Sequence, residues 1–217
     1  MIALARGRHM AVEDTKERLI GAAGAVLRAQ GYGRSSARTI AKEAGVNSAL
    51  VFYHFGGVDA LLFAALDRSS EERMAVLAGA VADCRTLEDL VEAGTRIYRH
   101  DVEAGHLTLF SELVAAAVAK PELREEIKVR AEPWLAFIEE TLERVIGGTP
   151  LARLMPPRDL ADAALTFYLG VNLFTVLDAD RSRTESVFAM ARRLAPRARL
   201  LTRRLPARLG GKRRAHS

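Results

Sequence analysis

The chain has 217 residues, of which 49% are hydrophobic and 27% charged, proportions typical of a globular protein and not of a disordered one. Its single cysteine, Cys84, excludes an intramolecular disulfide and a thiolate metal site. No N-terminal segment has the apolar core of a signal peptide. The longest uncharged run, 163–177, is shorter than the roughly twenty residues of a membrane span. These features predict a cytoplasmic protein without a membrane partner.

The net charge of +5 is distributed unevenly along the chain. Residues 1–57 carry a net charge of +4, residues 58–202 a net charge of −5, and residues 203–217 a net charge of +6. A basic N-terminal part beside an acidic middle part indicates that the N-terminal part meets a polyanion. For the basic tail, the simpler interpretation is a solubilising end that has no partner.

Apolar residues recur at helical spacing from Asp14 to Leu205, and no segment has the alternation of a strand. The sequence therefore predicts an all-α fold, with the first helix beginning at Asp14 or Thr15. Pro133 and Pro196 fall inside helical patterns and should kink or split them. The predicted helices cover residues 14–30, 36–44, 48–55, 58–84, 87–104, 107–118, 121–146, 157–178 and 184–205.

The second and third predicted helices have the residue types of a helix-turn-helix over 36–55. Ala41 is small, as a close crossing of two helices requires, and Gly45 can adopt the positive φ of the turn. Val46 and Val51 fill the angle between the helices. Such a unit holds its second helix towards the major groove of DNA. Together with the basic charge, this pattern predicts DNA binding.

The stretch 31–66, GYGRSSARTIAKEAGVNSALVFYHFGGVDALLFAAL, resembles the signature of the tetracycline-repressor (TetR) family. The shared features are Gly-Tyr after the first helix, a Ser pair that caps the second, Ile-Ala-x-x-Ala-Gly-Val, an aromatic-x-His-Phe ending and Leu-Leu at the start of the fourth helix. The match covers residues 15–66, whereas residues 67–205 agree only in length and helical character.

The resemblance implies a homodimer with an N-terminal three-helix DNA-binding domain and a C-terminal helical bundle for ligand binding and dimerisation. It further implies repression of a palindromic operator, relieved when a small hydrophobic molecule enters the bundle and the fourth helix moves the DNA-binding domains apart. We accordingly expect a flexible arm at 1–12, the DNA-binding domain at 13–60, the sensing and dimerisation domain at 61–205 and a basic flexible tail at 206–217.

Three residues depart from the family pattern: Phe52 stands where Tyr is usual, Val58 where Lys is frequent, and Ala49 where Gly or Pro is usual. The first two changes remove contacts to DNA phosphates. With Val51 and Phe55 placed inward, helical geometry turns Ala49, Leu50 and Tyr53 outward and puts Phe52 and His54 on the flanks. The predicted DNA-binding residues are Ser36, Arg38, Asn47, Ser48, Ala49, Leu50, Tyr53 and His54.

Different roles are expected within this set. Arg38 either reads a guanine or contacts a phosphate, and Ala49 and Leu50 can touch thymine methyl groups. Tyr53 donates its hydroxyl to a phosphate or packs, and His54 donates to a phosphate or packs under the first helix.

Heptad spacing on the last two long helices predicts seams that either pair with a second subunit or close the core of the monomer. The resemblance favours the dimer. The seam residues are Leu160, Ala164, Phe167, Val171, Phe174, Val187, Ala191, Leu194 and Leu201. Polar or aromatic residues on apolar helices are candidates for the ligand pocket, each with a structural role as the alternative: Tyr98, Asp101, His106, Glu112, Trp134, Phe137, Tyr168 and Asn172.

An enzyme has little support, because the chain lacks Gly-x-Gly-x-x-Gly, P-loop, Gly-x-Ser-x-Gly and His-Glu-x-x-His motifs. The five histidines are too scattered to form a metal site, and no cofactor is predicted. The alternatives that remain are a DNA-binding protein that responds to no ligand and an activator of the same fold.

Overall fold

A computed structural model describes residues 2–104, 106–177 and 182–202, and all regular structure within these ranges is helical, as predicted. We refer to α1–α3 as the N-terminal domain, to α4 as the connecting helix and to α5–α11 as the C-terminal domain. Short 3₁₀ turns lie at Tyr32–Arg34, Pro121–Leu123 and Ala195–Ala198. The α-helices are α1 (Ile2–Gln30), α2 (Ala37–Ala44), α3 (Ala49–Phe55), α4 (Val58–Val81), α5 (Leu87–Ala104), α6 (His106–Ala119), α7 (Arg124–Ile146), α8 (Pro150–Leu154), α9 (Pro157–Leu177), α10 (Ser182–Leu194) and α11 (Arg199–Thr202).

The start of the first helix was predicted incorrectly. Helix α1 begins at Ile2, so Asp14 lies inside it and residues 2–12 belong to a helix and not to a flexible arm. Residues 2–13 consist largely of Ala, Leu, Arg, Met and Glu and contain no proline. Because these residues favour a helix, nothing in this segment ends it before Asp14. The predicted tail at 206–217 lies outside the described residues.

The prolines have three different effects. Pro196 splits the predicted helix 184–205, since α10 ends at Leu194 and a 3₁₀ turn precedes α11. Pro133, where a kink or a split was expected, lies inside α7, and the helix continues through it without a split. Extensive packing of α7 along α9 can outweigh the one backbone hydrogen bond that a proline removes. Pro150 starts a helix that sequence analysis missed, α8, with Thr149 accepting from the Ala152 backbone N–H.

One apolar core holds the N-terminal domain together. Leu19 of α1, Ile40 of α2, Val51 of α3 and Leu61 of α4 are completely buried in it. The core continues into the C-terminal domain through Leu109 of α6, which is also completely buried. Side chains of this kind contribute about 1.5–3 kcal/mol each when fully buried. The N-terminal domain is therefore anchored to α4 and α6.

The C-terminal domain surrounds a cavity with α5, α6, α7, α9 and α10, and α4 forms one side of it. In the described part of the chain, no single helix is long and apolar enough to cross a membrane. Helices α3 and α4 pass that test only when taken together, as a pair bent by 66°.

Candidate functional site

The turn between α2 and α3 is a Schellman motif. Ser36 caps α2 by accepting from the Thr39 backbone N–H over 3.1 Å, as predicted. At the other end Gly45 has φ 65° and donates to the Lys42 carbonyl, while Val46 donates to the Ala41 carbonyl over 2.9 Å. Only a residue that tolerates positive φ fits here, which explains the glycine.

Arg18 of α1 reinforces this turn, a role that sequence analysis did not identify. Its Nη2 donates to the Ala44 carbonyl over 2.6 Å and lies 3.4 Å from the Gly45 carbonyl. A guanidinium at a helix C-terminus satisfies carbonyls that have no partner within the helix and interacts favourably with the helix dipole. The orientation of α2 is therefore set by α1 as well as by the turn.

The outward face of α3 differs partly from the prediction. Ser48 and Ala49 are exposed, and Tyr53 is 77% exposed, as predicted. Leu50 is half-buried against the core of the N-terminal domain, so its placement on the outward face was wrong. Phe52, predicted on a flank, is 57% exposed and takes its place. Leu50 and Phe52 lie about 100° to either side of the buried Val51 on the helix, so spacing alone did not decide which of the two faces the core.

The remaining predicted DNA-binding residues lie around this face. Ser36 and Arg38 are exposed at the start of α2. Asn47 is exposed and its Oδ1 accepts from the Ala49 backbone N–H over 2.8 Å, so this side chain caps α3. His54 is half-buried, with its ring 4.9 Å from that of Tyr53 in an edge-on arrangement. The exposed set is thus a short apolar and aromatic surface flanked by Arg38.

A cavity of about 580 Å³ lies in the C-terminal domain, and its wall is almost entirely apolar. Its volume falls within the range of sites that hold drug-sized molecules. Four of the predicted pocket residues line the cavity: Asp101, Trp134, Phe137 and Tyr168. The connecting helix contributes side chains from Leu66 to Val81.

Of the other four predicted pocket residues, Tyr98 and Glu112 do not line this cavity. Tyr98 is buried beside it, with its ring 5.0 Å from that of Phe188. Glu112 faces the N-terminal domain and accepts from the Tyr32 backbone N–H over 2.9 Å, so its assignment to the pocket was wrong. Spacing on α6 could not reveal this contact, because its partner is distant in sequence. The side chains of His106 and Asn172 lie outside the described structure.

A buried ion pair forms the charged part of the cavity wall. The guanidinium of Arg73 on α4 pairs with the carboxylate of Asp101 on α5, and the two side chains are 6% and 1% exposed. The Tyr168 hydroxyl of α9 donates to the other Asp101 oxygen. Burial and the neighbouring Asp101 charge raise the pKa of Tyr168, so its hydroxyl stays protonated. Sequence analysis missed Arg73, because its place among other charged residues of α4 is typical of a solvent-exposed arginine.

A polar cluster joins the two domains at the start of α4. Asp59 accepts from the Tyr32 hydroxyl over 2.7 Å and from Lys120 Nζ over 2.8 Å, and Lys120 also contacts the Tyr32 hydroxyl. Partial burial alone would raise the pKa of Asp59, but the hydrogen bonds from Lys120 and Tyr32 outweigh it and lower that pKa. The hydrogen bond to Asp59 is the main cause that raises the pKa of Lys120.

Comparison with known proteins identifies the N-terminal part of the chain. Residues 19–65 match the model of the bacterial regulatory proteins of the tetR family, and this range includes α2, α3 and the start of α4. This part of the chain is therefore a DNA-binding domain of the TetR type. No curated protein sequence matches it.

Solved structures of TetR-family regulators have the same fold. A TetR-family member from Streptomyces coelicolor A3 is 26% identical, with 84% of this chain and 98% of that chain covered and a TM-score of 0.60. A TetR-family transcriptional regulator from Cytophaga hutchinsonii is 16% identical, with 86% and 95% covered and a TM-score of 0.70. The fatty acid degradation regulator FadR from Bacillus halodurans is 16% identical, with 83% and 94% covered and a TM-score of 0.66. Over most of its length the chain therefore has the fold of TetR-family transcriptional regulators.

Residues predicted for the TetR-type dimer interface fall into two groups. Val171 is buried in its own subunit, and Leu160, Ala164, Phe167 and Ala191 line the cavity, although Phe167 is also 40% exposed. The heptad pattern did not separate these inward positions from outward ones, because helical spacing defines which residues share a face and not what that face packs against. Outward exposure remains for Phe174 (56%), Leu194 (53%) and Leu201 (43%), and Val187 is half-buried.

Proposed function

We propose that the protein is a cytoplasmic, homodimeric repressor that binds a palindromic operator through α2 and α3 and releases it when a small hydrophobic molecule fills the cavity. One observation carries the proposal: the connecting helix begins directly after α3 and forms one side of the cavity. A molecule in the cavity therefore contacts the same helix that positions the DNA-binding surface. One protein of the same fold, FadR of Bacillus halodurans, is named a fatty acid degradation regulator. A hydrophobic effector for this chain is consistent with that name.

The proposed DNA contacts follow from exposure and chemistry. Arg38, at the start of α2, provides a bidentate donor for guanine. Ala49 and Phe52 offer apolar contact to thymine methyl groups, and the Tyr53 hydroxyl donates to a phosphate. The proposed dimer places two such surfaces on half-sites separated by about 34 Å, one helical turn of DNA, or by a multiple of it.

The dimer surface is proposed on the outward apolar residues of the last helices. Three apolar side chains are exposed to solvent in the monomer: Phe174, Leu194 and Leu201. Burial of these side chains between two subunits would be favourable. Leu194→Glu should yield a monomer in sedimentation experiments and lose operator affinity. Val118→Glu, at an apolar residue of α6 that is 78% exposed, should remain dimeric. A wild-type monomer at micromolar concentration would refute the dimer.

The test of ligand response uses two glycines. Gly94 of α5 lines the cavity, and a Cβ there would meet no atom within 4 Å; Gly79 of α4 is exposed and equally free. Gly94→Leu should fill part of the cavity and leave folding intact, since leucine favours helix over glycine by about 0.8 kcal/mol. Gly79→Leu is the matched control.

The operator is first selected from random DNA with the wild-type protein. Cell extract is then fractionated to find a compound that releases the operator DNA from the wild-type protein. The wild type and Gly79→Leu should release the operator, while Gly94→Leu should bind it and stay bound. Equal release by all three proteins would place the effector elsewhere. Reporter output after deletion of the gene distinguishes a repressor from an activator.

A further inference from the structure

The charged groups at the cavity wall neutralise one another. Among the described residues that line the cavity, Arg73 and Asp101 are the only charged ones. They form a buried pair, and Asp101 also accepts the hydrogen bond from Tyr168. The site therefore has no net charge before anything binds.

A charged ligand would disturb this balance. A carboxylate bound at Arg73 would place two negative charges beside one guanidinium, and an ammonium group bound at Asp101 would place two positive charges beside one carboxylate, so that one charge in each case would stay uncompensated. Burying an unpaired charge in an apolar environment costs far more than burying a neutral polar group. The electrostatics of the wall thus favour an uncharged molecule.

One hydrogen-bond donor at this wall lacks an acceptor. Nε of Arg73 is buried and has no hydrogen-bond partner in the described structure, and the buried Oδ1 of Asp101 contacts Arg73 Nη2 as an ion pair without a hydrogen bond of normal geometry. An unsatisfied buried donor is unfavourable, so an acceptor brought by a ligand would gain more here than in water. Ser69 and Ser70 line the cavity one turn earlier on α4. The polar end of the cavity is therefore on the connecting helix, and the rest of the wall is largely apolar.

We propose that the cavity binds an uncharged, predominantly hydrocarbon molecule that carries a carbonyl acceptor, such as an ester, lactone, ketone or amide, with the carbonyl oxygen accepting from Arg73. The inference rests on the ligand-sensing function proposed above and specifies the chemistry of the sensed molecule. Binding at Arg73 places the polar group of the ligand against α4, the helix that leads to the DNA-binding surface.

The test compares three probes of similar chain length: methyl decanoate, decanoate and decylamine. Trp134 is the only tryptophan of the chain and lines the cavity, so its fluorescence reports binding without DNA. At neutral pH methyl decanoate should bind the full-length protein at least about tenfold more tightly than either charged probe. Calorimetry gives the same ranking independently of fluorescence.

Two variants assign the selectivity to the ion pair. Arg73→Lys keeps the positive charge beside Asp101 but loses the Nε donor, so it should weaken methyl decanoate about tenfold without improving decanoate. Asp101→Asn leaves the Arg73 charge uncompensated and should reverse the preference in favour of decanoate. Arg99→Lys, at an exposed pair with Glu185, is the control and should keep the wild-type ranking. Circular dichroism establishes that each variant is folded.

Tighter binding of decanoate or decylamine to the wild type, or no binding of methyl decanoate, would overturn the inference, and these results need no variant. Operator release is measured separately. If methyl decanoate binds with the expected ranking but leaves the operator bound, the cavity chemistry stands and the proposed release mechanism fails for this class. If charged compounds both bind and release the operator, the sensing function stands and the inference fails.

Discussion

The N-terminal domain and the cavity region of the C-terminal domain differ in how densely their interiors are packed. The N-terminal domain buries leucine, isoleucine and valine side chains completely, and its polar atoms are used in caps such as Ser36 and Asn47. The C-terminal domain leaves a cavity of about 580 Å³ open and buries an ion pair beside it. Dense packing keeps the exposed surface of α2 and α3 in one shape. A cavity beside a buried ion pair instead has apolar surface and polar groups that a ligand can contact.

The largest expected effect is on the buried pair. Arg73→Met leaves the Asp101 carboxylate buried without its cation, which should lower the free energy of unfolding by about 3–5 kcal/mol. Arg99→Met, at the exposed pair with Glu185, should have little effect because water screens that pair. Urea unfolding measures both. The double variant Arg73→Met/Asp101→Asn keeps an acceptor for the Tyr168 hydroxyl and should regain much of the loss. Failure to do so would show that the loss does not come from the uncompensated carboxylate.

The difference in packing predicts unequal costs for the same substitution. Ile40→Ala removes a completely buried side chain from the N-terminal core and should cost about 2–5 kcal/mol. Ile97→Ala truncates a half-buried side chain that already faces the cavity, so it should cost less, about 1 kcal/mol. Both values come from urea unfolding followed by circular dichroism. Equal costs would contradict the contrast between a dense and an open region.

At the DNA surface the expected effects are smaller. Arg38→Ala should reduce affinity for the selected operator by about 1–3 kcal/mol and relax selectivity at one guanine only. Arg38→Lys is the matched control, because it keeps the charge but loses the bidentate geometry. Titration against single-base operator variants gives the pattern. A uniform loss across all variants would make Arg38 a phosphate anchor.

The smallest effect is expected at the cluster that joins the two domains. Asp59→Asn removes a partly exposed carboxylate, so its cost should stay below about 1 kcal/mol and fall with added salt. The pKa of Asp59 is lower in the folded state than its ordinary value of 3.8. The Asp59 carboxylate therefore stabilises the fold at pH values above 3.8. This stabilisation is lost as the pH falls through the pKa that Asp59 has in the folded state.

Urea unfolding over a pH series tests this sign. The difference between wild type and Asp59→Asn should be constant at neutral pH and vanish in acid. Asp83→Asn, at an exposed residue, is the control for the general effect of removing a surface carboxylate. A difference that grows as the pH falls would contradict the assignment.

Sequence alone predicted the parts of the molecule that local chemistry determines. The all-α class, the cap at Ser36, the positive φ of Gly45, the break at Pro196 and the family each depend on residues within a few positions of one another. Backbone hydrogen bonding and φ preferences act over that range, so a single sequence contains their signal. The start of α1 was the exception: Asp14 and Glu17 form an Asp-x-x-Glu pattern that resembles a capping box, and it lies inside the helix.

Tertiary structure decided the features that join distant segments. Arg73 meets Asp101 and Tyr168 from three different helices, and Glu112 contacts Tyr32 across the domain boundary. The inward position of Val171 and the half-buried position of Leu50 were likewise invisible in the pattern. Helical spacing defines which residues share a face, but only the packing of other helices decides whether that face meets a cavity, the core or water.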